Sequence, residues 1–347
     1  MTNPLELNGI DFVEFSSSSP EKLNQLFIDF GFSKIAKHRS KNIELYRQGG
    51  ITFLINYEQN SYGYKFQSLH GSSISAMGWR VKNSERSCKE SVNRGARECI
   101  YGDYQYENNQ QVPAIYGIGD SLIYLIEPDE SKEFTYNRFG FDKFQDPVLV
   151  PNKGFLLIDH LTNNVYNGTM EKWASFYKDV FGFKEIRYFD IKGKKTGLTS
   201  YALRSPCGQF CIPINEANEA KSQINEYLDE YKGPGIQHLA FLTRDIIESM
   251  KQLKGTHIKM LDISQDYYKT AFDRVPNIKQ DKKMIENLNI LVDGDSEGYL
   301  LQIFTKNLVG PIFIELIQRE NYLSFGGGNF QALFDSIERD QMQRGFL

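Results

Sequence analysis

Three side chains of metal-ligand type sit inside otherwise apolar strings of this chain. They are His160 in "LIDHLT" (157–162), His238 in "GPGIQHLAFLTRD" (233–245) and Glu315 in "GPIFIELIQ" (310–318). Each falls where strand alternation would favour an apolar residue. A carboxylate buried in such a string without a partner costs roughly several kcal/mol, and a nearby cation removes that cost. Two imidazoles and one carboxylate on one face leave other coordination positions open, the arrangement expected of non-haem Fe(II) oxygenases. Taken singly, each residue has an ordinary reading. A strand histidine is usually a hydrogen-bonded core residue, and a strand glutamate usually faces solvent or an arginine such as Arg319. His38, His70 and His257 stand in polar surroundings and read as surface or loop residues.

What lifts the three above the ordinary reading is an internal repeat. "GIDFVEFSSSSPEKLNQLFIDFGFSKI" in the first half parallels "LIDHLTNNVYNGTMEKWASFYKDVFGFKEI" in the second. Each reads as a strand, a polar loop, an amphipathic helix ending at Phe-Gly-Phe, and a further strand. Gly31 and Gly182 stand where a helix C-terminus needs a left-handed residue. "GSSISAMGWRVKN" (71–83) parallels "GPGIQHLAFLTRD" (233–245), and the helices expected after them span 84–94 and 245–254. "DSLIYLIEP" (120–128) parallels "GPIFIELIQ". Each half therefore reads as two βαβββ units, with a boundary near "DPVLVPNKG" (146–154). In the matched columns His160 stands opposite Phe12, His238 opposite Ala76, and Glu315 opposite Tyr124. All the ligand-type residues are in one copy. Phe12 and Tyr124 are large enough to fill the space a metal would need, so one metal per chain is expected.

Composition narrows the class. A chain of 347 residues suggests two domains. Its 40 basic and 44 acidic residues give a formal charge of −4, which offers nucleic acid or an anionic membrane no handle. No basic leader precedes an apolar run, and no apolar stretch reaches about 18 residues, so a soluble cytosolic protein is expected. The four cysteines contain no CxxC pair. The spacing of Cys207 and Cys211 would suit a metal, but no second pair completes a zinc site, and free thiols in a reducing compartment are the better reading. The glycines at 326–328 have no phosphate-loop context.

In these strings the chain resembles the 4-hydroxyphenylpyruvate dioxygenase family of the vicinal-oxygen-chelate superfamily. The strings that carry the resemblance are "DHLTNNV", "PINEANEAKSQINEYLDEYKGPGIQHLAF", "LLQIFTK", "FIELIQR" and "FGGGNFQALFDSIERDQ", and it spans essentially the whole chain. It implies an α+β fold of two tandem vicinal-oxygen-chelate domains, each of two βαβββ modules forming a half-open barrel. Residues 1–150 would be the metal-free domain and 151–347 the catalytic one, closed by a C-terminal gating helix. It implies one Fe(II) per chain on His160, His238 and Glu315. Ser200, Asn215, Gln237 and Gln302 would be catalytic. Gln223, Pro213, Phe313, Phe325 and Phe330 would bind substrate. Without the resemblance, Gln223 reads as a solvated helix residue and Gln302 as an edge-strand glutamine. Gly327 stands where family members often carry a charged residue, which implies a more flexible loop before the helix.

The implied reaction joins 4-hydroxyphenylpyruvate and O2. The substrate's own 2-oxo acid chelates the metal, CO2 is lost, and ring hydroxylation with side-chain migration gives homogentisate, a step of tyrosine catabolism. Competing readings are hydroxymandelate synthase, an extradiol catechol dioxygenase and a ligand-sequestering module. "PIN" at 213–215 and Phe313 favour the dioxygenase. The resemblance also implies a dimer or tetramer.

Overall fold

The computed structural model describes residues 2–128, 134–192, 197–219, 221–343 and 345. The first sheet is built from β1 (Ile10–Ser16), β2 (Ser33–His38), β3 (Ile43–Gln48), β4 (Ile51–Asn56), β5 (Ser73–Arg80), β6 (Glu98–Cys99), β7 (Ala114–Tyr116), β8 (Leu122–Ile126) and β9 (Phe141–Val148). Its order is β6-β7-β8-β5-β1-β4-β3-β2-β9. The second comprises β10 (Phe155–Val165), β11 (Lys184–Lys192), β12 (Gly197–Arg204), β13 (Cys211–Ala217), β14 (Gly235–Thr243), β15 (Leu291–Gly294), β16 (Tyr299–Phe304) and β17 (Phe313–Glu320). Its order is β11-β12-β13-β10-β14-β17-β16-β15. Both curl into half-open barrels with vicinal-oxygen-chelate topology.

The two sheets repeat one wiring. β1 pairs parallel with β4 and antiparallel with β5, which pairs parallel with β8. β10 pairs parallel with β13 and antiparallel with β14, which pairs parallel with β17. Each half is therefore two βαβββ modules joined at their first strands. The crossover helices are α1 (Pro20–Asp29), α3 (Ser84–Asn93), α4 (Met170–Phe176) and α6 (Ile246–Leu253). Their starts follow local chemistry. Pro20 presets the first turn of α1, and Asn83 and Asp245, matching residues of the repeat, cap α3 and α6 through the amides of Arg86 and Glu248. Helices α2 (Tyr62–His70) and α5 (Gln223–Tyr231) link the two modules at the same place in each half, and strand β9 and helices α7 (Gln265–Arg274), α8 (Lys282–Asn287) and α9 (Gly327–Gln343) lie outside the repeat. No helix among the described residues is long and apolar enough to cross a membrane.

The halves interlock through equivalent aromatics. Trp79 of β5 packs on Phe181, Phe183 and Phe210 of the second half, with ring centroids 4.7–5.9 Å apart. Its counterpart Phe241 of β14 packs on Phe30, Phe32 and Phe53 of the first, at 5.7–5.9 Å. The two Phe-Gly-Phe strings are thus interface residues as well as helix stops. Gly31 (φ +84°) and Gly182 (φ +79°) hold the expected left-handed conformation, and a Cβ at either would run into backbone of Pro151 or Thr2. His70 corrects the sequence reading. It is only 7 % exposed, stacks on Tyr231 of the other half at 4.6 Å and lies 2.6 Å from the Tyr231 carbonyl. His257 is exposed, as expected, whereas His38 is half-buried at the end of β2.

Candidate metal centre

Strand register brings the three ligand-type residues to one spot. His160 on β10 lies opposite Ala240 on β14, which lies opposite Glu315 on β17. In the first half the same ladder runs Phe12, Gly78, Tyr124. An ungapped overlay of "DSLIYLIEP" on "GPIFIELIQ" is one residue out, and the ladder places Tyr124 as the counterpart of Glu315. His238 needs a further device. Thr162 faces His238 while the next residue, Asn163, faces Ile236, so Gln237 is an extra residue on β14. Such a bulge breaks alternation and lets Gln237 and His238 both face the interior.

The ligand atoms of His160, His238 and Glu315 lie within 4.8 Å of one another, the single such cluster among the described residues. Glu315 Oε2 is 3.1 Å from His160 Nε2 and 3.5 Å from His238 Nε2. The outward atoms are tied down. His160 Nδ1 lies 2.8 Å from Asp159, which Arg319 grips with two bonds of 2.7 and 2.8 Å. Arg319 therefore partners Asp159, not Glu315. His238 Nδ1 lies 3.0 Å from Gln237 Oε1, and Gln302 donates to Glu315 Oε1 at 2.9 Å. These partners favour the tautomers that aim both Nε2 atoms and one carboxylate oxygen at a common centre.

The electrostatics call for a positive charge at that centre. Burial alone would push Glu315 up, yet His160 and His238 hold it down at about 2. Burial alone would push His160 down, yet Glu315 and Asp159 carry it up to about 9. Burial keeps His238 below the ordinary histidine range. The donor set and its outward bonds fit a divalent cation with open positions.

The triad opens into a narrow cavity. All the residues singled out from sequence line it: Ser200, Pro213, Asn215, Gln223, Gln237, Gln302, Phe313, Phe325 and Phe330, besides the triad. β12 and β13 present alternate residues, with Ser200 paired to Asn215 and Ala202 to Pro213. Cys211 is level with His160, so Pro213 and Asn215 step away from the triad along one face. Phe313 stacks on His238 at 4.7 Å, and Phe325 stands edge-on to His160 at 5.3 Å. Gln302 lies on β16 between β15 and β17, so the edge-strand reading does not hold, and Gln223 is buried. α9 roofs the cavity with Phe330, Leu333, Phe334 and Ile337. Gly327 lies in the first turn of α9, not in a loose loop.

Residues 1–140 match the family profile described as hydroxyphenylpyruvate dioxygenase, N-terminal, and residues 157–283 match the glyoxalase/bleomycin resistance protein/dioxygenase superfamily. A 4-hydroxyphenylpyruvate dioxygenase of Legionella pneumophila is 43 % identical over 348 residues, covering 99 % of this chain and 98 % of that protein. The chain belongs to the 4-hydroxyphenylpyruvate dioxygenase family. Protein MelA of Shewanella colwelliana is 53 % identical over 350 residues, covering 99 % of both chains. A solved structure of a 4-hydroxymandelate synthase variant from Streptomyces coelicolor superposes with a TM-score of 0.82 at 22 % identity, covering 96 % of this chain and 99 % of that one, and shares the fold.

This member of the family carries site residues that sequence reasoning missed. Thr162, Phe189, Leu198, Ala202, Phe304 and the α9 residues Leu333, Phe334 and Ile337 also line the cavity. Asp159 and Arg319 fix His160, and Asn329 donates to Gln302 at 2.8 Å. The Asp beside His160 was visible in "LIDHLT", but Asp11 occupies the same column beside Phe12, so the column alone carries no metal signal. Cys207 and Cys211 are unpaired, and neither belongs to the metal-type cluster.

In the first half the equivalent space is filled. Phe12, Tyr104 and Tyr124 pack with centroids 5.0–6.0 Å apart. The bulge is kept there: Glu14 faces Ala76 and Phe15 faces Ile74, which turns Ser75 inward. Ser75 donates to Glu14 at 2.6 Å, and Tyr104 closes the other side of that carboxylate. The sequence reading named Phe12 and Tyr124 as the filling but not Tyr104 or Glu14.

Proposed function

We propose that this dioxygenase converts 4-hydroxyphenylpyruvate and O2 to homogentisate and CO2 in tyrosine catabolism, using one Fe(II) held by His160, His238 and Glu315. Residues 1–150 then form the metal-free domain and residues 151–347 the catalytic domain. The observation that carries the reading is the buried triad at one end of a cavity with no lysine or arginine among its lining residues. An anionic 2-oxo acid entering such a space meets no lysine or arginine, and a metal bound at the triad would supply the charge its carboxylate needs. When bound, Fe(II) would supply oxygen activation and a template for the keto acid.

The chain's own residues do the rest. Gln237 and Gln302 hold two of the ligands in place. Ser200, Asn215 and Gln223 offer hydrogen bonds to the phenol at the other end. Pro213, Phe313, Phe325 and Phe330 grip the ring and keep water from the reacting centre. A reducing, cytosolic setting goes with this reading, supported by four unpaired cysteines. So does assembly into a dimer or tetramer.

The shared fold with a 4-hydroxymandelate synthase favours one second reading, hydroxylation at the benzylic carbon. Incubating the protein with Fe(II), ascorbate and 4-hydroxyphenylpyruvate and identifying the product tests both. Homogentisate is expected; 4-hydroxymandelate would replace the first reading by the second.

A further inference from the structure

The roof of the cavity is wired to the metal ligands by two buried polar chains. In one, His160 leans on Asp159, and Asp159 is gripped by Nε and Nη2 of Arg319. The remaining arm of the same guanidinium, Nη1, donates to the carbonyl of Tyr322 at 3.1 Å and to that of Ser324. Those carbonyls belong to the turn that leads into α9. The face of Phe325 lies 5.5 Å from the Arg319 guanidinium carbon, and the same ring stands edge-on to His160 at 5.3 Å. In the other chain Gln302 donates to Glu315 at 2.9 Å and to the Phe325 carbonyl at 3.4 Å. It accepts from Asn329 at 2.8 Å, and Asn329 in turn accepts from the Tyr267 hydroxyl at 2.6 Å. Gly326 is packed against Gln302 so closely that a Cβ there would collide with its amide oxygen. The turn before α9 is thus clamped from both sides by the groups that orient two metal ligands.

The first half supplies an internal control. Asp11, the counterpart of Asp159, is bound by Arg80 at 2.9 Å and by the Tyr136 hydroxyl at 2.6 Å. There the aspartate adjoins Phe12, and the short helical turn Thr135–Phe139 beyond β8 supplies the Tyr136 that binds it. Each half thus has an aspartate–arginine pair, with the arginine drawn from β5 in the first and from β17 in the second. Among the described residues, it is the second half in which that arginine also holds the turn leading to a helix over the cavity.

We propose that Arg319 is a positioning residue that couples closure of α9 to the orientation of His160, so that metal capture and lid closure favour one another. The proposal rests on the metal reading above. A guanidinium is suited to the task because its planar fork reaches a carboxylate and two carbonyls at once, whereas an ammonium is a single point charge. Coupling of this kind is reciprocal: if the closed lid raises metal affinity, bound metal must stabilise the closed lid by the same factor.

The test measures hydrogen exchange of the α9 amides (327–343) with and without Co(II), after titration has established the metal bound per chain. In the wild type, Co(II) is expected to slow α9 exchange by about tenfold, within the usual range of such couplings. In Arg319→Lys, which keeps the charge opposite Asp159, the slowing should fall below about threefold, with weaker Co(II) binding by the matching factor. Arg80→Lys should leave the wild-type response unchanged. If Arg319→Lys does not fold, Asn329→Ser puts the same question through the Glu315 chain. Equal metal-dependent protection in the wild type and the Arg319→Lys protein would overturn the proposal. So would a wild type that binds Co(II) without slowing α9. A wild type that binds no metal would remove the metal reading along with it.

Discussion

The two half-barrels start from one wiring and put different things at the same place. In the second, His160, His238 and Glu315 surround an open centre; in the first, Phe12, Tyr104 and Tyr124 close it. Both keep the bulge, at Gln237 and at Ser75, and both keep an aspartate one residue before the key position. What differs is the identity of the inward side chains and what lies over them. The second half has α9 over its cavity. The first has the loop carrying Asp103 and Tyr104 drawn into its barrel, where the Asp103 carboxylate takes the amides of Tyr62 and Gly63. A scaffold that places side chains at a bulge can thus carry either an open polar centre or a closed aromatic core.

The sharpest way to break the comparison is to remove a ligand. His160→Ala, His238→Ala or Glu315→Ala is expected to abolish turnover, a loss of roughly a thousandfold or more, since the metal's contribution goes with it. Iron titration of the apo-protein should saturate at one Fe(II) per chain and fall to none in the Glu315→Ala protein. Two tight equivalents per chain, or a variant that keeps near wild-type activity, would mean that the halves are not divided as described.

The filled half should show its own signature in pH. Burial, reinforced by Asp103, pushes Glu14 up to about 7. The folded state therefore holds a proton that the unfolded chain releases near 4.5, and stability is lost as pH rises from there through 7. Glu14→Gln should flatten that slope, as read from chemical unfolding midpoints between pH 5 and 8. Parallel curves for the two proteins would show that Glu14 is ionised without cost.

A smaller effect is expected at the polar end of the cavity. Phenylpyruvate, which lacks the ring hydroxyl, should lose on the order of 1–3 kcal/mol in kcat/KM, because Ser200, Asn215 and Gln223 would be left unpaired. Comparable kcat/KM for the two substrates would show that these residues do not read the phenol.

The smallest change concerns the helix over the second half's cavity. A Cβ at Gly327 meets only the edge of Phe189, at 3.4 Å, and the residue has no positive φ. Gly327→Ala should therefore stabilise α9 by about 0.5 kcal/mol, chiefly by reducing the freedom of the unfolded chain. Slower exchange of the α9 amides would register it, and faster exchange would mean that the helix start is strained.

The sequence by itself carried the repeat, the modules and the columns that set three ligands against Phe12, Ala76 and Tyr124. These are properties of periodicity: a strand's apolar rhythm and a helix's Gly stop are written locally and survive in both copies. Its strings also led to every residue named for the site, and all of them line one cavity. Tertiary structure decided the rest. Alternation cannot place Gln237 and His238 on the same face, because the bulge that does so is a property of the pairing between β10 and β14. Arg319 reads as a neighbour of Glu315 along the chain, but four residues of extended strand carry it away from Glu315 to meet Asp159 on β10. His70 looked solvated in a polar string, and docking of the two halves buried it against Tyr231. Tyr104 lies in a loop with no period to read, and its entry into the first barrel depends on the space left open there. Side-chain chemistry and spacing are local and legible; which distant groups meet is fixed only when the sheets curl and the halves close on each other.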